Sequence, residues 1–216
     1  MEFISRPSAL LVILGVMSLV PFVAIMTTSF VKLAVVFSIL RNALGLQSIP
    51  PNMAVYGLAI ILTVYIMAPV GFEVQRILAP YDINLDDPEK IQIVFREGSK
   101  PIHAFLKKHT DRSELRFFLD SARKLWPEEE ARGISIDSFF ILVPAFTVSE
   151  LTSAFEIGFL LYLPFIAIDL VISNILLAMG MMMVSPMTIS LPFKLLLFVL
   201  IDGWAKLIHA LVLTYQ

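Results

Sequence analysis

The sequence lacks cysteine altogether and contains only three histidines, His103, His109 and His209. Without cysteine the chain has no disulfide framework, no thiolate metal site and no cysteine nucleophile. It also lacks the HExxH pattern of zinc proteases, the GxSxG pattern of serine hydrolases and the glycine-rich loop that binds ATP phosphates. The sequence therefore predicts no catalytic residues, no metal and no cofactor. Any ATPase that serves this protein is expected to be a separate protein.

Charged residues are scarce outside one stretch, since 24 of the 34 acidic and basic side chains lie between Glu73 and Asp137. The whole chain is 58% hydrophobic with a mean hydropathy of +0.85, which favours a membrane-associated protein over a soluble domain. A net charge of -2 gives no basic character for binding nucleic acid. We divide the chain into an apolar helical hairpin (1–72), a charged helical insertion (73–137) and a second apolar hairpin (138–216).

Four apolar segments predict an all-α fold, and each is long enough to be a membrane-spanning helix. They cover about residues 9–40, 53–72, 138–179 and 191–213. Pro21 predicts a kink in the first segment, and Pro69 with Gly71 predicts the end of the second. We interpret the first segment as a retained helix, and the alternative is a cleaved leader.

The charged insertion contains two predicted amphipathic helices. The first follows Asp87-Pro88 and is expected to break at Gly98 and Pro101. The second should be capped by Asp111 and should end at Trp126-Pro127, because apolar residues recur between them at helical spacing.

Two further charged features have separate interpretations, one as a surface turn and one as a topology signal. The run Glu128-Glu129-Glu130 is interpreted as a solvated acidic turn. Arg41 lies in the short loop after the first apolar segment, which favours a cytoplasmic position for that loop. The charged insertion would then lie on the periplasmic side.

Isolated charges interrupt the C-terminal apolar segments: Glu150, Glu156, Asp169, Lys194, Asp202 and Lys206. Such charges are costly in a membrane and usually face a partner, a bundle interior or water, although those near helix ends can reach the interface. If the hairpin tip lies at Met181-Met182, Asp169 and Lys194 are both about 19 Å from it. Opposite charges at equal depth suggest a pair, either within the hairpin or between adjacent copies of it. Glu156 and Lys206 form a second candidate pair at matching depth. A tip near Pro186 would instead place Asp169 level with Asp202.

Three consecutive methionines, Met181, Met182 and Met183, follow Gly180 in the middle of this apolar region. Methionine often fills irregular gaps in a core, because its thioether side chain is unbranched and flexible. At a hairpin tip in a ring of several copies, the same side chains would converge on the axis. They would form a deformable apolar constriction that blocks ions and yields to a passing polypeptide.

Motifs in both apolar parts carry a resemblance to a known family: Pro21-Phe22 with Met26 to Phe30, Leu40 to Gly45 with Pro50-Pro51-Asn52, Glu150-Leu151 with Ala154-Phe155 and Ile157-Gly158-Phe159, Leu163-Pro164-Phe165 with Ile168-Asp169, Met179 to Met183, and Ile189 to Lys194 through Phe198 and Asp202-Gly203-Trp204. With these residues the chain resembles the FliP/YscR (SctR) family of export-gate proteins from type III secretion systems. The charged insertion carries little of the resemblance.

The resemblance implies a homo-pentamer within a helical complex that also contains FliQ/SctS-like and FliR/SctT-like membrane proteins. Such a complex sits in the bacterial inner membrane, projects toward the periplasm and passes unfolded secreted polypeptides. The family's methionine gasket matches Met181 to Met183, an acidic residue that contacts neighbouring copies matches Glu150, and an inter-subunit salt bridge matches Asp169 with Lys194. The start of the chain, close to its first apolar segment, favours the injectisome branch over the flagellar branch.

One alternative is a small transporter that uses Glu150, Glu156 and Asp169 as a proton relay. A relay should keep its carboxylates unpaired in a polar cavity, whereas pairing with lysine indicates a structural role. A membrane enzyme is a weaker alternative, because the sequence has neither HExxH nor GxSxG and its three histidines are most simply surface or packing residues.

Overall fold

The structure is a computed structural model that describes residues 7–46, 50–81 and 88–216. Within these ranges the chain forms helices and no strands, which confirms the all-α prediction. The helices are α1 Pro7–Met26, α2 Phe30–Ala43, α3 Asn52–Leu78, α4 Pro88–His109, α5 Arg112–Leu125, α6 Glu128–Gly133, α7 Phe139–Ala178, α8 Pro186–Leu200 and α9 Gly203–Leu213.

The chain divides into two compact units that cut across the sequence order. Unit 1 comprises Met1–Val31 and Val64–Glu150, and unit 2 comprises Lys32–Thr63 and Leu151–Gln216. The core of unit 1 is formed by residues of α4, α5 and the start of α7, including Leu106, Leu115 and Phe146. In unit 2 the core combines α2 and the start of α3 with the rest of α7, α8 and α9. The division of the sequence at residues 72 and 137 stays a prediction.

Unit 1 contains one helix where the sequence predicted a break. The helix α4 runs unbroken through Gly98 and Pro101, so that prediction was wrong. Proline inside a helix costs about 3 kcal/mol. Here the next turn of α4 buries Phe105 and Leu106, and the Phe105 ring packs 5.8 Å from that of Phe146. We attribute the continuity of α4 to this packing, which offsets the missing hydrogen bond.

The helix that follows agrees with the prediction at both ends. The Asp111 carboxylate accepts a hydrogen bond from the backbone N–H of Ser113 at 2.7 Å, and Trp126 ends the helix. The predicted cap at Asp87 lies outside the described residues. The run 128–130 forms the first turn of the short helix α6 rather than a simple turn, and its side chains are exposed as expected.

Two of the apolar segments are broken where no break was predicted. The first helix passes through Pro21 and ends at Met26. The hydroxyls of Thr27 and Thr28 donate to the carbonyls four residues earlier at 2.8 and 2.7 Å. The fourth segment splits at Asp202, whose backbone is left-handed (φ 53°), and α8 and α9 meet there at a bend of 61°.

The second apolar segment is longer than predicted, since α3 continues past Pro69 and Gly71 to Leu78. By length and composition, α3 and α7 are the two described helices that could each cross a membrane unbroken. The broken pairs α1–α2 and α8–α9 bring the number of candidate spans to four if each pair counts as one.

Candidate functional site

The centre of unit 2 holds an ion pair between Asp169 on α7 and Lys194 on α8. The Lys194 Nζ atom lies 2.6 Å from Asp169 Oδ2 and also donates to the backbone carbonyl of Ala43 at 3.1 Å. The Ser190 hydroxyl donates to the other carboxylate oxygen of Asp169 at 2.6 Å. Four residues from three helices therefore share one polar network in an apolar surrounding.

The partners in this network differ in their access to solvent. The side chain of Lys194 is 3% exposed, whereas that of Asp169 is 35% exposed. Ser190 is fully buried, and it lies one turn before Lys194 on the same face of α8. The ammonium group is thus held on the inside, and the carboxylate lies between it and the surface.

The contact with Ala43 explains how the network fixes the end of α2. Ala43 is the last residue of α2, and a helix leaves its last carbonyl groups without partners inside the helix. Gly45 (φ 76°) turns the chain away, with its N–H bonded to the Asn42 carbonyl and the Leu46 N–H bonded to the Arg41 carbonyl. Lys194 supplies a positively charged donor to this negative helix end, which favours the arrangement electrostatically.

The sequence predicted that Asp169 and Lys194 lie at equal distances from the hairpin tip, and the structure brings them together within one chain. Their assignment to a bridge between copies stays a prediction. Equal distance from the hairpin tip gave no reason to expect Ser190 or the Ala43 carbonyl in the same polar network. The spacing of four residues between Ser190 and Lys194 is the one signal in the sequence that could have indicated Ser190.

The three methionines lie at the turn between α7 and α8. The helix α7 ends in a glycine motif, in which the Gly180 N–H bonds to the Leu177 carbonyl and the Met181 N–H to the Leu176 carbonyl. Gly180 has φ 71°, a backbone conformation that glycine adopts without strain. The hairpin tip is therefore where the depth argument assumed it to be.

The methionine side chains are not part of the core of the single chain. Met181 is 40% exposed, Met182 is 82% exposed and Met183 is fully exposed. A core-filling role within one chain does not fit this exposure. Three exposed thioether side chains at a turn next to a fixed hairpin form an apolar surface available to another molecule.

Glu150 lies elsewhere on α7, 19 residues before Asp169 and therefore about 28 Å along the helix. Its side chain is buried, with 1% of the residue exposed, as part of unit 1. Charges near helix ends can reach a membrane interface, but Glu150 is buried within its unit instead. Its predicted role between copies stays a prediction.

The second candidate pair is not formed within the chain. Glu156 and Lys206 are both exposed, and neither has an ion-pair partner in the part of the chain that the structure describes. The break between α8 and α9 changes the path that the depth argument assumed for Lys206. A pairing of these residues between copies stays a prediction.

Two glycines in unit 2 mark close contacts that the sequence analysis missed. A Cβ atom on Gly203 would lie 2.3 Å from the ring of Phe198, and one on Gly158 would lie 2.4 Å from Ile39. The Phe198 ring also packs edge-on against Trp204, with centroids 5.6 Å apart. Glycine inside an apolar helix is the signal in the sequence that could have indicated such contacts.

Large apolar side chains on α7 and α8 remain exposed in the single chain: Phe155, Phe159, Leu160, Leu170, Val171, Phe193, Leu196, Val199 and Leu200. An exposed apolar surface of this kind normally meets a membrane or another protein. An apolar groove of about 400 Å³ lies on the same unit between α7 and Phe193. The described residues contain no group of three or more side chains that could hold a metal ion.

A second polar contact lies in unit 1, where Asp137 precedes α7. The Lys107 ammonium lies 2.6 Å from Asp137 Oδ1, and the His103 ring donates from Nε2 to the Asp137 backbone carbonyl at 2.8 Å. Hydrogen bonding from Lys107 holds the pKa of the Asp137 carboxyl below its usual range, and the positive charge on Lys107 acts in the same direction. This contact ties the start of α7 to α4.

Comparison with known proteins matches almost the whole chain. Residues 13–211 match the FliP family. The chain is 63% identical over 206 residues to the Yop proteins translocation protein R of Yersinia pestis, with 95% of both proteins covered. It is 50% identical over 216 residues to the virulence protein YscR of Salmonella typhimurium, with full coverage of both. It is also 48% identical over 212 residues to the hypersensitivity response secretion protein HrcR of Ralstonia nicotianae, with 97% of both covered. These matches confirm the resemblance seen in the sequence motifs, and the chain belongs to the FliP family.

Proposed function

We propose that this protein is a pore-forming subunit of a type III protein secretion export gate in the bacterial inner membrane. In this role several copies, five by the resemblance, surround a channel through which unfolded secreted polypeptides pass. FliQ/SctS-like and FliR/SctT-like proteins complete the complex. The names of these relatives refer to translocation of Yop proteins, virulence and the hypersensitivity response, and they favour an injectisome over a flagellum.

The observation that carries this proposal is the exposure of Met181, Met182 and Met183 at the tip of a hairpin with a fixed base. The network around Asp169 and Lys194 ties α7, α8 and the end of α2 together behind the tip. A rigid base with flexible apolar side chains at its end suits a seal, because thioether side chains adapt to the shape of what they contact.

The transporter alternative receives less support. A proton relay needs carboxylates that are free to exchange protons, and the Asp169 carboxylate is occupied by Lys194 on one oxygen and Ser190 on the other. Glu150 is about 28 Å away along α7, so these two carboxylates do not share one cavity.

The test replaces Met181, Met182 and Met183 together with alanine and measures ion conductance of the closed complex in a membrane. We expect conductance to rise while the oligomer stays intact. Each chain should stay folded, because the replaced side chains are exposed in the single chain and contribute little to its core. The matched control is Met187→Ala, which changes an exposed methionine of α8 outside the tip. Unchanged conductance in the triple variant, or an equal rise in the control, would contradict the proposed seal.

A further inference from the structure

The helix α5 carries a row of three arginines on its exposed face. Arg112, Arg116 and Arg123 are four and seven residues apart, and at 3.6 residues per turn they lie within about 40° of one another around the helix. All three are exposed, and none forms an ion pair or hydrogen bond in the described part of the chain. We call these three residues the arginine row.

An exposed acidic group follows the arginine row in the same unit. Glu128, Glu129 and Glu130 form the first turn of α6, and Glu128 pairs with Arg132 at 2.8 Å. Within the part of the chain that the structure describes, neither Glu129 nor Glu130 forms an ion pair with the arginine row of its own chain. Each chain therefore presents both a basic surface and an acidic surface, and they do not neutralise each other.

The wider charge pattern of unit 1 follows the same division. From Lys107 to Lys124 the chain has six basic and three acidic side chains. From Glu128 to Asp137 it has four acidic side chains and one basic side chain. Lys107 pairs with Asp137, and Arg132 pairs with Glu128. The charges left without an ion pair are five basic and three acidic side chains between Lys108 and Lys124, and the two acidic side chains Glu129 and Glu130 on α6.

We propose that the arginine row of one copy binds the acidic group of α6 in the next copy. A contact between two different surfaces of the same protein is head-to-tail, and such contacts close into rings when the rotation between copies allows it. The inference rests on the proposed ring of copies and names the charges that guide neighbouring copies together. An anionic lipid surface fits less well as the partner. The acidic group begins only five residues after Arg123, and the negative lipid surface would repel it.

The test reverses the charges of the row with Arg116→Glu and Arg123→Glu and measures the oligomer fraction on native gels at low salt. We expect a loss of about fivefold in association constant per broken pair, which is the upper range for exposed ion pairs. The effect should shrink as salt is added, because salt screens exposed charges. Adding Glu129→Arg and Glu130→Arg should restore the oligomer. The matched control is Lys124→Glu, which reverses one exposed positive charge on a different face of α5 and is compared with Arg116→Glu alone.

Disulfide cross-linking provides a second measurement, since the chain contains no cysteine of its own. Copies with Arg116→Cys are mixed with copies with Glu129→Cys in native membranes and oxidised. A disulfide that forms only in the mixture supports the head-to-tail contact. Cross-linking that is equally strong between Lys124→Cys and Glu129→Cys copies would overturn it.

The outcomes separate this inference from the proposed function. If the wild-type protein forms the ring and the reversed row leaves it intact, the arginine contact is refuted and the export gate is not. If Lys124→Glu weakens the ring as much as Arg116→Glu alone, net charge is responsible and the inference fails. Loss of binding to anionic vesicles with an intact ring would assign the row to lipid and overturn the contact between copies. A wild-type protein that forms no oligomer would refute the ring and this inference with it.

Discussion

Removal of Asp169 should destabilise unit 2 more than neutralisation of Lys194, because the two partners differ in burial. In Asp169→Ala the ammonium group of Lys194 stays almost fully buried and keeps only the Ala43 carbonyl as a partner. In Lys194→Met the Asp169 carboxylate stays about one third exposed and keeps the Ser190 hydroxyl. A charged group that is partly hydrated loses less stabilisation when its ion-pair partner is removed, because water still solvates it.

The magnitudes follow from this asymmetry. A buried charge left without its partner costs about 3–5 kcal/mol, which is the range we expect for Asp169→Ala. For Lys194→Met we expect about 1–2 kcal/mol, because methionine keeps the buried volume and the remaining carboxylate is partly hydrated. The double variant should be more stable than Asp169→Ala alone, since it leaves no unpaired ammonium group.

The assay is chemical unfolding of the detergent-purified protein, followed by the fluorescence of Trp204, which packs on Phe198 in unit 2. A Trp126→Phe background removes the signal of the other tryptophan, which lies in unit 1. Equal destabilisation by the two single variants would refute the burial argument. So would a double variant that is no more stable than Asp169→Ala.

Exchange of the two charges extends the same reasoning. A chain with Asp169→Lys and Lys194→Asp regains the attraction, but its buried carboxylate would face the Ala43 carbonyl, and two acceptors repel each other. We therefore expect partial recovery of assembly relative to Asp169→Ala, measured as the oligomer fraction on native gels. Complete recovery would show that the contact with Ala43 contributes nothing.

Two further predictions follow from other contacts. Gly203→Ala should lower stability by about 1–3 kcal/mol in thermal unfolding, because its new methyl group would overlap the Phe198 ring. The control Gly57→Ala should be neutral or stabilising, because Gly57 has open space around it. The second prediction concerns stability in acid. Because the pKa of Asp137 is lowered in the folded protein, its interaction with Lys107 stabilises the fold above about pH 4. This contribution is lost as the pH falls further and the carboxylate becomes protonated. Asp137→Asn should therefore weaken the fold at neutral pH and reduce its loss of stability in acid, measured by thermal unfolding between pH 2 and 7.

The sequence predicted those parts of the fold that depend on local chemistry. The cap at Asp111, the end of its helix at Trp126 and the hairpin tip at Gly180 all follow from residue types whose backbone preferences are strong. The depth match between Asp169 and Lys194 was predictable because the two helices are uninterrupted between the tip and the pair.

The predictions failed where tertiary packing decides whether a helix continues. Pro69 and Pro101 lie inside helices, although the sequence predicted an end at the first and a break at the second. Pro21 also lies inside its helix, and its predicted kink stays a prediction. Conversely, the helices break at Thr27 and at Asp202, where no break was predicted. At Asp202 the backbone is left-handed (φ 53°), and the position of Gly203 next to the Phe198 ring has no room for a Cβ atom.

The length of α7 bears on whether the apolar helices lie in lipid. With 40 residues it is about 60 Å long, twice the thickness of the hydrocarbon core of a bilayer. Glu150, Glu156 and Asp169 divide it so that its longest stretch without a charge, 157–168, has 12 residues. The helix α3 differs, because it has no charge from Asn52 to Phe72 and that stretch is long enough to span. An upright α7 would therefore place at least one carboxylate in the hydrocarbon. A span over 157–178 would contain only Asp169, whose charge is paired with Lys194 at 2.6 Å.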